Sequence, residues 1–323
     1  MPSERFEKIR KAALSPRSTE RLWDEFVQHG KEKGHWREDP VEIKNGERKL
    51  EMLNTWLHDR NLPPDEVLRK MMAEGKDPVA ELLGKMPRKL VHIYWLTGQG
   101  DCVVKSAVFV QLARKMGFEA KYHTALNIDL DLSHPALSDE EKKNLRSLPE
   151  DHAYASVRVG GNWVQYDPAI GIIGAKHRGT ENNDDQFVSQ MFSNHAIYLQ
   201  ESGKAKSSMK ALGLALEIDP KNPQAHALKG IYTWYSTRDA SAAMSHLDKA
   251  LEIDPRQIKA LRFKAVVLGS ESRPEEAMKA LDRALEIAPN DVRCLEQKMR
   301  FLRALGKRQE AQQLQSKLAA LKE

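Results

Sequence analysis

The chain repeats itself near its C-terminal end. The string ALEIDP stands at residues 215–220 and again at 250–255, and ALEIAP stands at 284–289, so a proline returns after 35 and then 34 residues. A period of that length is the signature of a stacked supersecondary unit, one that cannot bury its apolar face alone and needs neighbours. Counted back from each proline, small residues fall in register. Ala196, Gly230 and Ala265 share one position, and Ser208, Ala243, Ala277 and Ala311 share another. Large apolar residues (Phe192, Leu199, Leu261, Leu268, Leu295, Leu302) occupy helix-spaced sites between them. The pattern predicts pairs of helices that approach closely at the small residues, each pair closed by proline.

This arrangement resembles the tetratricopeptide repeat, a helix–turn–helix unit, over residues 189–323, or about four repeats. The first is loose, with His195 and Ala196 where the family prefers Leu and Gly, and the last has Leu318 where a small residue is usual. The resemblance implies an all-α superhelix with a concave groove that holds a protein or peptide partner. The same array could instead only buttress the rest of the chain or mediate self-association.

Two cysteines in 323 residues, Cys102 and Cys294, cannot build a disulfide framework, and a reducing, cytoplasmic setting is expected. There is no run of 18 apolar residues for a membrane span, and the charged first twenty residues lead us to expect no secretory leader. Net charge is +5 with both signs interleaved, which reads as solvated helix surface, so nucleic acid is not an expected partner. Cys294 lies among Leu295 and Met299 in a repeat helix and is expected to be structural.

Cys102 is different. It follows GQGD (residues 98–101) and opens a segment in which Val103, Val104, Ala107, Val108, Leu112 and Met116 have helical spacing, ending at Gly117 with Lys115 in the last turn. A strand is expected from Phe118, with Ala120, Tyr122 and Thr124 alternating, followed by a charged loop or short helix over 138–150. HAYASVRV (152–159) and NWVQYD (162–167) read as strands joined by a hairpin turn at Gly160-Gly161, with Pro168 closing the second. A two-residue turn sets Val159 opposite Asn162 and Tyr154 opposite Asp167, which puts His152 and Asp167 on one face as diagonal neighbours. A thiol at a helix N-terminus feels the positive end of the helix dipole. A neighbouring imidazole can take its proton, a carboxylate behind the imidazole fixes the tautomer, and backbone N–H groups at the helix start face a developing oxyanion. As bland alternatives, the cysteine could be inert, His152 a satisfied polar residue and Asp167 a turn former.

The order GDC opening a helix, then LARKMGFEAKYH, HAYASV and NWVQYDP, resembles the transglutaminase-like (papain-like) superfamily over residues 90–170. By that resemblance Cys102 is the nucleophile, His152 the general base and acid, and Asp167 the orienting carboxylate, with Gln99 and Trp95 as candidate oxyanion donors. It implies a thiol-dependent hydrolase, protease or acyltransferase that acts on an amide bond through an acyl-thioester. Some members of the superfamily only bind, so a non-catalytic adaptor is the alternative.

Asp129 and Asp131 near His134 do not supply enough oxygen ligands at defined spacing for calcium, and there is no zinc-type Cys/His cluster or phosphate-cradling glycine loop, so neither metal nor cofactor is expected. The N-terminal part reads as helical, with apolar faces at Leu22, Trp23 and Phe26, at Leu50, Leu53, Trp56 and Leu57, and at Val67, Leu68 and Met71, before the strand-like LVHIYW (90–95). The expected fold class is an α+β transglutaminase-like core with a helical N-terminal region, plus an all-α repeat superhelix. The expected domains are residues 1–89 (helical), 90–185 (core) and 186–323 (repeats).

Overall fold

A computed structural model describes residues 23–24, 26–28, 31–32, 45–59, 101–125, 129–139, 142, 152–201 and 203–321. The expectations for Leu22, Val67, Leu68, Met71, the 90–95 strand and most of 138–150 lie outside what it describes, as do the side chains of Trp56 and Val104. The chain forms two compact units, Met1–Tyr198 and Leu199–Glu323.

In the first unit, helix α1 (Gly46–Asp59) buries Leu50, Leu53 and Leu57, one face at helical spacing. It packs on α2 (Asp101–Lys115), whose Ala107, Val108, Phe109, Val110, Leu112 and Ala113 are all fully buried. Burial on nearly every side explains why α2 shows apolar residues all round rather than one stripe. Gly117 has φ +88°, its N–H donates to the Arg114 carbonyl, and the Phe118 N–H donates to that of Ala113. That pair of bonds is a Schellman motif, which satisfies the last carbonyls of the helix.

Beside α2 lies a five-stranded antiparallel sheet in the order β4-β3-β2-β1-β5. Its strands are β1 (Ala120–Ala125), β2 (His152–Val159), β3 (Asn162–Asp167), β4 (Ile172–Ile173) and β5 (Thr180–Asn182). The β2–β3 turn has φ +56° at Gly160 and +87° at Gly161, a type I′ geometry that matches strand twist and that two glycines adopt without strain. Val159 pairs with Asn162 and Ala155 with Tyr166, the register expected from a two-residue turn. α2 packs on β1 and β2, and Phe109 stacks on Tyr166 with ring centroids 5.0 Å apart. Helix α3 (Asp184–Glu201) follows β5, and its Phe187 stacks on Tyr122 at 4.3 Å.

The second unit contains seven helices among the described residues: α4 (Ala205–Ile218), α5 (Pro223–Thr237), α6 (Ala240–Ile253), α7 (Ile258–Ser270), α8 (Pro274–Ile287), α9 (Val292–Ala304) and α10 (Arg308–Ala320). α5 packs on α6, α7 on α8 and α9 on α10, the pairs that the repeat period predicts. Asn222, Asp239 and Asp291 cap α5, α6 and α9, each side chain accepting the N–H three residues on. At Gly230 an added Cβ would meet the Ala243 carbonyl at 2.8 Å and Leu247 Cγ at 2.9 Å, so the small residue is what lets α5 and α6 touch. Ala243, Ala265 and Ala277 are fully buried at the corresponding contacts.

Candidate active site

Three chain segments converge at one end of the sheet. Cys102 is the second residue of α2 and is half-buried. It lies in the first turn, where backbone N–H groups have no partner within the helix. His152 begins β2 and Asp167 ends β3, and both side chains are buried. The hairpin register brings them together, with His152 Nε2 2.5 Å from Asp167 Oδ2. Cys102 lies close enough to the same ring to help raise its pKa. With Nε2 engaged by Asp167, Nδ1 is the nitrogen left to face a thiol.

The electrostatics follow from this burial. Burial disfavours the charged imidazole, but the Asp167 charge and hydrogen bond, with Cys102 adding to them, outweigh it and hold the His152 pKa well above its usual value. Burial also pushes the Asp167 carboxyl up, yet the His152 charge and hydrogen bond, with a contribution from His177, bring it far below the carboxylate range. The pair therefore favours the imidazolium–carboxylate form.

Asp167 serves two purposes that the sequence offered as alternatives. Its Oδ1 accepts the N–H groups of Ala169 (3.2 Å) and Ile170 (3.4 Å), shaping the turn into β4, while Oδ2 faces the imidazole. A group that the sequence reading missed also reaches it. His177, in the segment between β4 and β5, has Nε2 3.2 Å from the same Oδ2. The distance suits a hydrogen bond but the direction does not, so Nε2 has no hydrogen-bond partner and the contact is electrostatic. A histidine in a polar loop carries no spacing that would have revealed this role.

Gln99 and Trp95 lie outside the described residues. The carboxylate of Asp131 is taken up by Ser133 and by the Lys176 N–H. No group of His, Cys, Asp or Glu among the described residues could hold a metal ion. Cys294 is fully buried in α9, where burial, reinforced by Asp291, drives its thiol pKa up.

The model of the transglutaminase-like superfamily matches residues 81–168, which include Cys102, His152 and Asp167 but not His177. A tetratricopeptide repeat model matches residues 259–291, the α7–α8 pair. The chain thus carries a transglutaminase-like domain followed by a tetratricopeptide repeat. No curated protein matches the chain. Among solved structures, it is similar to the crystal structure of MamA, with a TM-score of 0.37 and 16% identity over 42% of this chain and 78% of that one. It is also similar to the first TPR of Spaghetti (RPAP3) bound to an HSP90 peptide, with a TM-score of 0.35 and 19% identity over 38% of this chain and 98% of that one. A third is Pseudomonas aeruginosa pilF, with a TM-score of 0.40 and 23% identity over 43% of this chain and 63% of that one.

Proposed function

We propose that the chain is a thiol-dependent hydrolase or acyltransferase acting on an amide bond of a protein or peptide, with Cys102 as nucleophile, His152 as general base and acid, and Asp167 as the group that orients His152. The observation that carries the reading is the buried His152–Asp167 pair at 2.5 Å, with Cys102 near enough to the same ring to help raise its pKa. The domain boundaries of the reading are residues 1–89, 90–185 and 186–323, with a papain-like core in the second. The two free cysteines are in keeping with a cytoplasmic protein, and no described helix is long and apolar enough to cross a membrane.

In the proposed reaction the Cys102 thiolate attacks the amide carbonyl, forming an S–C bond and moving the carbonyl electrons onto oxygen. The N–H groups at the start of α2 face that oxyanion, with Gln99 and Trp95 as the candidate side-chain donors. As the intermediate collapses, the C–N bond breaks and imidazolium His152 gives its proton to the departing amine. The thioester that remains is attacked by water or another acceptor, whose proton passes to His152, and the thiolate leaves. The repeat helices supply the protein-binding surface.

Hydroxylamine tests the thioester directly, because it intercepts an acyl-enzyme whichever natural acceptor resolves it. The protein is incubated with a peptide digest and hydroxylamine, and hydroxamates are counted by mass spectrometry. Hydroxamates that vanish in Cys102→Ala are the expected result. None, or an equal yield from Cys102→Ala, contradicts the proposal.

A further inference from the structure

His177 is held from every side except one. Its backbone N–H donates to Gln165 Oε1 (2.8 Å) and its carbonyl accepts from Gln165 Nε2 (3.0 Å), so one amide side chain on β3 clamps both backbone groups. The Tyr154 hydroxyl reaches the same carbonyl at 3.3 Å, and the Tyr154 ring meets the imidazole edge-on with centroids 5.0 Å apart. The flanking residues are tied to the loop after β1, Lys176 N–H to Asp131 Oδ2 (3.0 Å) and Arg178 N–H to the Asp129 carbonyl (2.9 Å).

The ring itself is oriented by a further bond, in which the Asp131 N–H donates to Nδ1 at 2.8 Å. A nitrogen that accepts a proton carries none, so the ring proton sits on Nε2. That atom is buried, has no hydrogen-bond partner, and lies 3.2 Å from Asp167 Oδ2. The titratable groups around the ring are Asp167 on β3, His152 and Tyr154 on β2, and Asp131.

We propose that His177 is a positioning residue of the candidate active site: its Nε2–H is held against Asp167 Oδ2, so that two imidazoles share one carboxylate oxygen and His177 tempers the grip of Asp167 on His152. The proposal rests on the reading of Cys102, His152 and Asp167 given above. Asp167 Oδ1 is already fixed by the turn N–H groups, so the carboxylate keeps its place when His177 is changed and the effect is one of charge. A carboxylate oxygen whose charge also faces the Nε2–H dipole of His177 attracts the His152 imidazolium less than one that faces it alone. Packing against Tyr154 alone would need only a flat ring.

The test is titration of the His152 ring nitrogens by 15N NMR in the full chain, in the wild type, His177→Phe and His177→Gln. The Phe variant keeps the ring and removes the shared N–H, so the His152 titration is expected to move to higher pH. In the Gln variant, an amide that accepts from Asp131 and donates toward Oδ2 is expected to restore the wild-type titration. An unchanged or lowered titration in the Phe variant overturns the proposal. If that variant does not fold, the wild-type spectrum decides. His177 is expected to be protonated on Nε2, with that proton's resonance moving as His152 titrates, and an Nδ1-protonated ring overturns the proposal. Repeating the titrations in Cys102→Ala separates the two readings, since the imidazole effect needs no thiol while an unreactive Cys102 would count against the function alone.

Discussion

The two cysteines occupy nearly equivalent places and differ in almost everything else. Cys102 is the second residue of α2 and Cys294 the third of α9, so both lie in the first turn of a helix of similar length. If the helix dipole alone decided thiol chemistry, they would behave alike. They do not have like surroundings. Cys294 is fully buried and its own N–H donates to the capping carboxylate of Asp291, a negative neighbour that adds to burial in favouring the neutral thiol. Cys102 is half-buried and interacts with an imidazole whose charge a buried carboxylate supports. The helix end is therefore permissive, and the neighbouring strands determine what a thiol there can do.

The strongest way to break the contrast is to remove the carboxylate. Asp167→Asn leaves His152 buried without its counter-charge and is expected to cost about 3–5 kcal/mol of stability, read by urea denaturation. A loss below about 1 kcal/mol would mean that the pair is not coupled as described.

The same pair sets a pH dependence. The Asp167 pKa is depressed by folding, so its contribution is present above the unfolded value of about 3.9 and is lost as the pH falls toward the folded one. The His152 pKa is raised, so its contribution is present below about 6.5 and is lost as the pH rises through the folded value. The stability gap between wild type and Asp167→Asn is thus expected to be widest between about pH 4 and 6.5. A gap that is flat across pH would contradict this.

A smaller effect sharpens the other half of the contrast. Asp291→Ala removes the α9 cap and is expected to cost about 1 kcal/mol. Because burial is the leading cause of the raised Cys294 pKa, the folded variant should still protect Cys294 from alkylation. Rapid labelling without unfolding would show that Asp291, not burial, is the main guard.

The repeat unit was the more legible half of the chain, because its constraints are local and recur. The small residues at Gly230, Ala243, Ala265 and Ala277 mark helix contacts that exist. The hairpin register was also readable, since two glycines leave one tight turn. The start of β1 was not. Phe118 fits the alternation, but its N–H is used to cap α2, so pairing begins at Ala120. The compact units divide after Tyr198, inside α3. The N-terminal half of α3 carries Phe187, which stacks on the sheet residue Tyr122, and that pairing has no trace in the period. His177 was invisible for the same reason, because its place depends on Gln165 and Asp131, which are remote in sequence.

The measurement that bears most directly on the site is the iodoacetamide alkylation rate of each cysteine in the folded full-length protein at neutral pH, in the wild type and in His152→Ala. The expected result is rapid labelling of Cys102, protection of Cys294 until denaturation, and a loss of about tenfold or more in the Cys102 rate without His152. A Cys102 that is as inert as Cys294, or that reacts equally well without His152, would contradict the proposed catalytic site and leave the repeat helices as the functional part of the chain.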